Sequence, residues 1–210
     1  MNTEVKRDVP DILAKTVSIV FHPLFMPLYG LGIIFTAPTI MGFLPVTVKK
    51  ILFLIVLINN VFIPITLLPL FRMRNIISSY NIEDRSERSI PLFTTAIFYS
   101  ITSYIVFRFQ VPVFLKSYFM ASAILVVVLT IINFWWKISI HAAAAGAMTA
   151  TVIVLAGKMY APLTLYLIAI IIISGLVLSS RLRLNAHNPA QVWSGYLTGL
   201  AGLILFVMIL

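Results

Sequence analysis

Long apolar runs separated by short polar islands dominate the chain. The runs predict helices over about 24–41, 51–71, 90–107 and 118–136, a fifth starting near His141, a sixth ending near Ser179 and a last over 190–210. Each approaches the roughly 20 residues that a helix needs to cross hydrocarbon. The pattern gives seven spans, or six if the first is only partly inserted. His22-Pro23 and Pro27 predict kinks where the first run begins, because proline removes a backbone donor and crowds the preceding turn. Upstream, 11–21 mixes Lys15, Thr16 and Ser18 with apolar positions and is expected to lie at the membrane interface. The start, Met1 to Pro10, is polar and mixed in charge and does not read as a cleaved signal peptide. The expected fold is all-α: one polytopic integral membrane helical bundle over 1–210, with an interfacial segment over 1–23 and no soluble domain. The small residues of Ala142-Ala143-Ala144-Ala145-Gly146 predict close helix packing in lipid.

Three polar islands interrupt the apolar pattern: 72–89, Lys137-Ile138-Ser139-Ile140-His141, and the stretch from Ser180 to Gln191. Two spans separate the first island from the second, and two more separate the second from the third. An even number of crossings returns the chain to the same face, so all three share one side whatever the first span does. With the N-terminus counted there, that side holds all six carboxylates, ten of the fifteen Lys and Arg, and two of the three His. Ionisable groups beside a bilayer are costly and mark function. Arg85, Arg88, Ser139, His141, Arg181 and His187 are therefore expected to converge. His22 stands alone in sequence and reads as a structural histidine at the membrane boundary. Trp135 and Trp136 read as interfacial aromatics, and Lys137 as an interfacial anchor.

Composition narrows the chemistry. A hydrophobic content of 61% and a mean hydropathy of +1.07 exclude an ordinary soluble domain. The absence of cysteine excludes a disulfide framework and thiolate chemistry. All six carboxylates (Glu4, Asp8, Asp11, Glu83, Asp84 and Glu87) precede residue 88. A magnesium site for phosphate chemistry takes one or two carboxylates. Only Glu83-Asp84-Glu87 could supply them, and basic residues crowd that cluster. Neither a metal nor any other cofactor is expected. The net charge of +9 suits an anionic substrate, anionic lipid head groups or membrane topology, and no nucleic-acid partner is expected. Arginine forks match phosphate oxygens bidentately, and a hydroxyl and the first amides of a helix beginning near His141 would add donors. Two histidines without nearby acidic ligands suggest an acid and a nucleophile rather than a metal centre, with a histidine metal site as the alternative.

These residues resemble the type 2 phosphatidic acid phosphatase superfamily of membrane lipid phosphatases. Its signature joins a Lys-x6-Arg-Pro block, Pro-Ser-Gly-His, and Ser-Arg-x5-His-x3-Asp. The third part is matched by Ser180-Arg181, His187 after five residues, and Gln191 after three more. The second keeps Ser139 and His141, with Ile138 and Ile140 in place of Pro and Gly. The first is loose: Arg88 matches the arginine, Pro91 comes late, and Asn81 stands where lysine is expected, while Arg85 lies one helical turn before Arg88. The resemblance covers about residues 81–197.

The resemblance implies that His187 is the nucleophile, giving a phosphohistidine, and that His141 protonates the leaving lipid oxygen and then helps activate water. It gives Arg85, Arg88, Ser139 and Arg181 to the phosphate. Gln191 replaces the aspartate that orients the histidine ring; its carbonyl can accept the same hydrogen bond but offers no charge. The implied substrate is a lipid bearing a terminal phosphate or diphosphate, such as an isoprenyl diphosphate or a phospholipid phosphate, in a bacterial cytoplasmic membrane. A non-catalytic lipid-phosphate binder or flippase-like protein on the same scaffold is the alternative, supported by the lost aspartate and the altered motifs. A transporter or channel is poorly supported, since the apolar runs carry few polar residues and no carboxylate. Loop charge favours the island side for the cytoplasm until four residues assignable to the site (Arg85, Arg88, Lys137 and Arg181) are discounted, which leaves six against five.

Overall fold

The structure, a computed structural model, describes residues 8–80, 82 and 84–210. The N-terminal stretch through Arg7, with Glu4, and Asn81 and Glu83 lie outside the described residues. The described residues form nine α-helices and no strand: α1 (Val9–Val20), α2 (Met26–Thr36), α3 (Val46–Val56), α4 (Ile63–Met73), α5 (Arg85–Arg108), α6 (Val113–Asn133), α7 (Ile140–Met159), α8 (Thr164–Arg183) and α9 (Pro189–Ile209). Taking α1 with α2 and α3 with α4, seven stretches are long and apolar enough to cross a membrane, so the chain is an integral membrane protein built as a helical bundle. Leu165, Ile168, Ile172 and Leu176 form an exposed apolar stripe along α8, a face suited to lipid.

The helix ends follow from local chemistry. A residue before proline is pushed to extended backbone, and His22 ahead of Pro23 has ψ 139°, which separates α1 from a 3-10 turn at Pro23–Phe25. The first predicted run, 24–41, is shortened for the same reason: Ala37 precedes Pro38, adopts ψ 144° and ends α2 at Thr36. Between α3 and α4 the helix widens into a π turn, Leu57–Phe62, where the Ile63 amide bonds the Ile58 carbonyl. Pro64 lies one turn beyond Asn60 and cannot donate to it, which disrupts the ordinary ladder there. Asn60 is buried and accepts from the Thr102 hydroxyl on α5, tying the two spans together inside the membrane. The helices α5 and α8 begin or end several residues beyond the predicted 90 and 179, so Arg85, Arg88 and Arg181 are helical residues rather than loop residues.

The tightest packing joins α7 and α9. A Cβ on Gly146 would collide with the backbone oxygen of Tyr196, and one on Gly199 with that of Ala143. Gly195 likewise faces the Ser139 carbonyl. Ala142 and Ala143 are fully buried at this seam. Predicted small residues on α7 thus meet a Gly195-x3-Gly199 ridge on α9, a spacing that lets helix backbones approach closely in lipid. Gly199→Ala is expected to cost about 1–3 kcal/mol by overpacking and to lower the melting temperature in detergent. Gly157→Ala, where the new methyl meets nothing within 4 Å, is the matched control and should cost nothing.

Candidate functional site

Five helix termini meet on one side of the bundle. The Asn133 amide at the end of α6 donates to the Arg85 carbonyl at the start of α5 (3.2 Å), and the Ser139 amide donates to the Gln191 carbonyl (3.2 Å). The three polar islands are thereby brought together, as the crossing count requires. The link from α8 to α9 explains the spacing between Arg181 and His187. Asn185 has φ +50° and ends α8 with two backbone bonds, Ala186 N–H to Arg181 O and Asn185 N–H to Leu182 O. Asparagine tolerates this left-handed position, and the paired bonds form the Schellman stop. Asn188 then caps α9, its side chain accepting from the Gln191 amide in a capping box. The chain turns back within five residues and sets His187 beside the last turn of α8.

His187 is 7% exposed, and its two ring nitrogens have different partners. Nδ1 is 3.0 Å from Gln191 Oε1, and Nε2 is 3.5 Å from Arg88 Nη1. The Asn188 backbone N–H also donates to Gln191 Oε1 (3.4 Å), which identifies that atom as the carbonyl oxygen. Nδ1 therefore carries the proton and donates it to Gln191, leaving the Nε2 lone pair on the Arg88 side. Burial pushes the pKa of His187 down to about 4; the Gln191 bond opposes this, and the charges of Arg88, Arg181 and Lys137 add to it. At neutral pH the ring is uncharged.

Opposite it, His141 donates Nε2–H to the Ser18 carbonyl of α1 (3.3 Å), since a carbonyl can only accept. The Ser18 hydroxyl accepts from Arg181 (3.3 Å) and lies 3.1 Å from the Ser180 hydroxyl. The segment expected at the interface thus braces His141 and Arg181 from behind, and an exposed ion pair of Arg183 with Asp11 (2.8 Å) holds its outer end. The Nε of Arg181 is buried and, among the described residues, has no hydrogen-bond partner. Such a donor is costly unless an acceptor reaches it.

His22 is the residue that sequence reasoning left out. Its ring stands edge-on to His141 with centroids 5.1 Å apart, so the third histidine joins the other two. The Leu24 amide donates to His22 Nδ1 (3.3 Å), which puts the proton of the neutral ring on Nε2. The available signal was the His-Pro pair, whose proline forces a chain break at the membrane boundary.

Together His22, Arg88, His141, Arg181 and His187 form the polar wall of a pocket of about 190 Å³, closed elsewhere by Leu24, Pro64, Leu68, Phe71, Leu92 and Thr95. Arg88 also donates Nε–H to the Ile82 carbonyl (2.8 Å). Gln191 stands behind His187 and reaches the pocket only through it. Arg85 and Ser139 are not on the pocket wall. Arg85 is exposed, and Ser139 is fully buried, its hydroxyl accepting from the Ala142 amide as the cap of α7. Glu87, of the acidic cluster, accepts from the Ser78 amide and hydroxyl and so ties the preceding loop to α5. Among the described residues no three of His, Asp and Glu stand where they could hold a metal ion. Comparison with protein-family models, with curated proteins and with solved structures gave no match for this chain.

The depressed pKa of His187 has a sign that can be checked. The unfolded chain binds this proton below about 6.5 and the folded chain only below about 4, so stability is lost as pH falls through that window and is untouched above it. The loss attributable to this ring is at most about 3 kcal/mol, reduced by solvent screening where the ring faces the pocket. His187→Asn should remove it: between pH 7 and 4 its melting temperature should fall less than that of the wild type.

Proposed function

We propose that the chain is a membrane lipid phosphate phosphatase, hydrolysing a terminal phosphate or diphosphate on a lipid through a phosphohistidine. The observation that carries this reading is the His187 ring, uncharged and held by Gln191 with its Nε2 lone pair turned towards Arg88, in a pocket shared with Arg181 and His141. In the first step Nε2 attacks phosphorus, the P–O bond to the lipid breaks, and the leaving oxygen takes a proton from His141. With Nε2–H held by Ser18, the transferred proton travels through Nδ1: a monoanionic substrate phosphate gives its proton to Nδ1, and the imidazolium so formed passes it to the leaving oxygen. In the second step water attacks the phosphohistidine, giving its proton back to His141 and releasing phosphate and free His187. Arg88 and Arg181 neutralise the phosphoryl oxygens, on which charge is spread throughout. The buried Nε of Arg181 is a donor that such an oxygen would satisfy. The ordered resemblance to the type 2 phosphatidic acid phosphatases supports the same assignment independently of the geometry.

A non-catalytic lipid-phosphate binder is favoured by two specific observations. Gln191 brings no negative charge to the imidazolium that forms, and in a serine-protease triad the loss of that charge costs on the order of ten-thousand-fold. Ser139, given to the phosphate by the motif, is committed as a helix cap. The glutamine nonetheless fixes the tautomer that the reaction needs, which the amide in the protease case does not. Catalysis therefore remains the preferred reading, at a modest rate.

The test is phosphate release from a panel of lipid phosphates in detergent with chelator. Wild type should release phosphate, and His187→Ala and Arg181→Ala should lower release by at least a hundredfold. A requirement for a divalent metal, or full activity in His187→Ala, would overturn the mechanism; a folded but inert wild type would leave the binding protein. Gln191→Asp should preserve or raise hydrolysis, because it restores the charge. A large loss there would show that the capping-box geometry of glutamine outweighs the charge.

A further inference from the structure

Two hydrogen-bond donors on the pocket wall lack acceptors, and they come from opposite ends of the chain. One is the buried Nε of Arg181 on α8. The other is Nε2 of His22, in the break between α1 and α2. The Leu24 amide donates to Nδ1 of this ring, so Nδ1 keeps a lone pair and the hydrogen of the neutral ring is on Nε2. Nε2 lies on the outer edge of the ring, and among the described residues its N–H has no hydrogen-bond partner. The ring lines the pocket together with Arg181 and stands edge-on to His141. No carboxylate among the described residues borders this pocket, so the protein offers the two donors no anion of its own. Donors left unpaired in a desolvated site are costly, and an oxyanion bound here would supply acceptors to both.

We propose that His22 is a phosphate-binding residue whose Nε2–H donates to an oxygen of the bound phosphoryl group, alongside the donors of Arg181. The inference rests on the reading of this pocket as a phosphate site. It fills a gap that the structure opens. Of the residues expected to hold the phosphate, Arg85 is exposed and Ser139 is spent as the cap of α7, which leaves Arg88 and Arg181 on the wall. A phosphoryl group in transfer spreads its charge over three oxygens. A further donor then comes from the N-terminal segment, which carries none of the matched motifs. That donor differs in kind from the arginines. With Nδ1 occupied by a backbone amide, His22 offers one N–H of fixed direction and no charge. It orients the phosphoryl group, whereas the arginines supply the attraction.

The ring does two things, capping the Pro23–Phe25 turn through Nδ1 and offering a donor through Nε2, and two substitutions separate them. His22→Asn keeps an acceptor near the Nδ1 position, where asparagine is a good cap, but its side chain stops short of Nε2. His22→Gln carries an amide N–H out to the Nε2 position and gives up the cap. Each full-length protein, in detergent with chelator, is titrated with sodium phosphate against sodium chloride of matched ionic strength while its melting temperature is read. Phosphate should stabilise the wild type. His22→Asn should need at least about tenfold more phosphate for the same shift, the loss of one hydrogen bond to a charged acceptor. His22→Gln should stay close to the wild type, and where it does not fold, His22→Asn decides alone. A ring that only caps the turn gives the reverse order, with asparagine near the wild type and glutamine impaired. That order overturns the inference, as do equal losses in both variants, no loss in either, or a wild type that phosphate does not stabilise. A tenfold loss in His22→Asn, in a protein that releases no phosphate from any lipid, would sustain the His22 contact and remove the hydrolytic reading. Lipid phosphate hydrolysis that neither substitution changes would do the reverse.

Discussion

The backbone contact between α7 and α9 is the constraint from which the site follows. Gly146, Gly195 and Gly199 remove the side chains that would hold these helices apart, and the Ser139 amide bonds the Gln191 carbonyl at the top of the seam. In lipid there is little hydrophobic force between helices, so close van der Waals contact and such hydrogen bonds decide which helices pair. Both helices begin on the same side, one with His141 and the other directly after His187. Pressing the two N-termini together brings both histidines to the rim of one pocket. The Arg181 side arrives with α8, whose last turn is tied to α9 by five residues of fixed geometry.

Within that frame, hydrogen bonds to groups of fixed polarity determine what each ring can do. A backbone carbonyl sets the proton on Nε2 of His141, and a backbone amide sets it on Nε2 of His22. For His187 the chain of reasoning is longer: a backbone amide orients Gln191, and Gln191 orients the ring. The glutamine therefore does by geometry the part of an aspartate's task that geometry can do. It leaves the electrostatic part to the rest of the pocket, where the neighbouring charges are cations. Those cations oppose an imidazolium and favour an anion, so the pocket is electrostatically better matched to an anionic ligand than to a protonated His187.

Much of this was legible in the sequence, and the legible parts have a common cause. Spans follow from hydropathy, and the shared side of the islands follows from parity, which no boundary error of a few residues can alter. The five-residue spacing between Arg181 and His187 was readable as a motif; the reason for it, a left-handed Asn185 followed by a capping box, depends on backbone geometry. Arg85 and Ser139 were placed by the shared side of their islands and by the motif resemblance, and neither says which way a side chain turns or whether a hydroxyl is already spent on a helix cap. The Gly195-x3-Gly199 ridge and the Asn59-Asn60 pair ahead of Pro64 were present as patterns and become meaningful only once their partners, Ala143 and Thr102, are known. His22 was missed because its role is long-range: nothing near residue 22 announces residue 141.

The break at His22-Pro23 also accounts for the way α1 is used. An unbroken helix over 9–36 would carry Ser18 along the same axis as α2. Extended backbone at His22 instead lets α1 lie along α8, where Ser18 reaches both Arg181 and His141. The same break turns His22 and Leu24 inward, one onto the polar wall and the other onto the apolar wall. A proline that looks like a defect in a membrane span is thus the means by which one segment borders both ends of an amphiphilic pocket, and the pocket's two-sided character is built into the backbone before any ligand is considered.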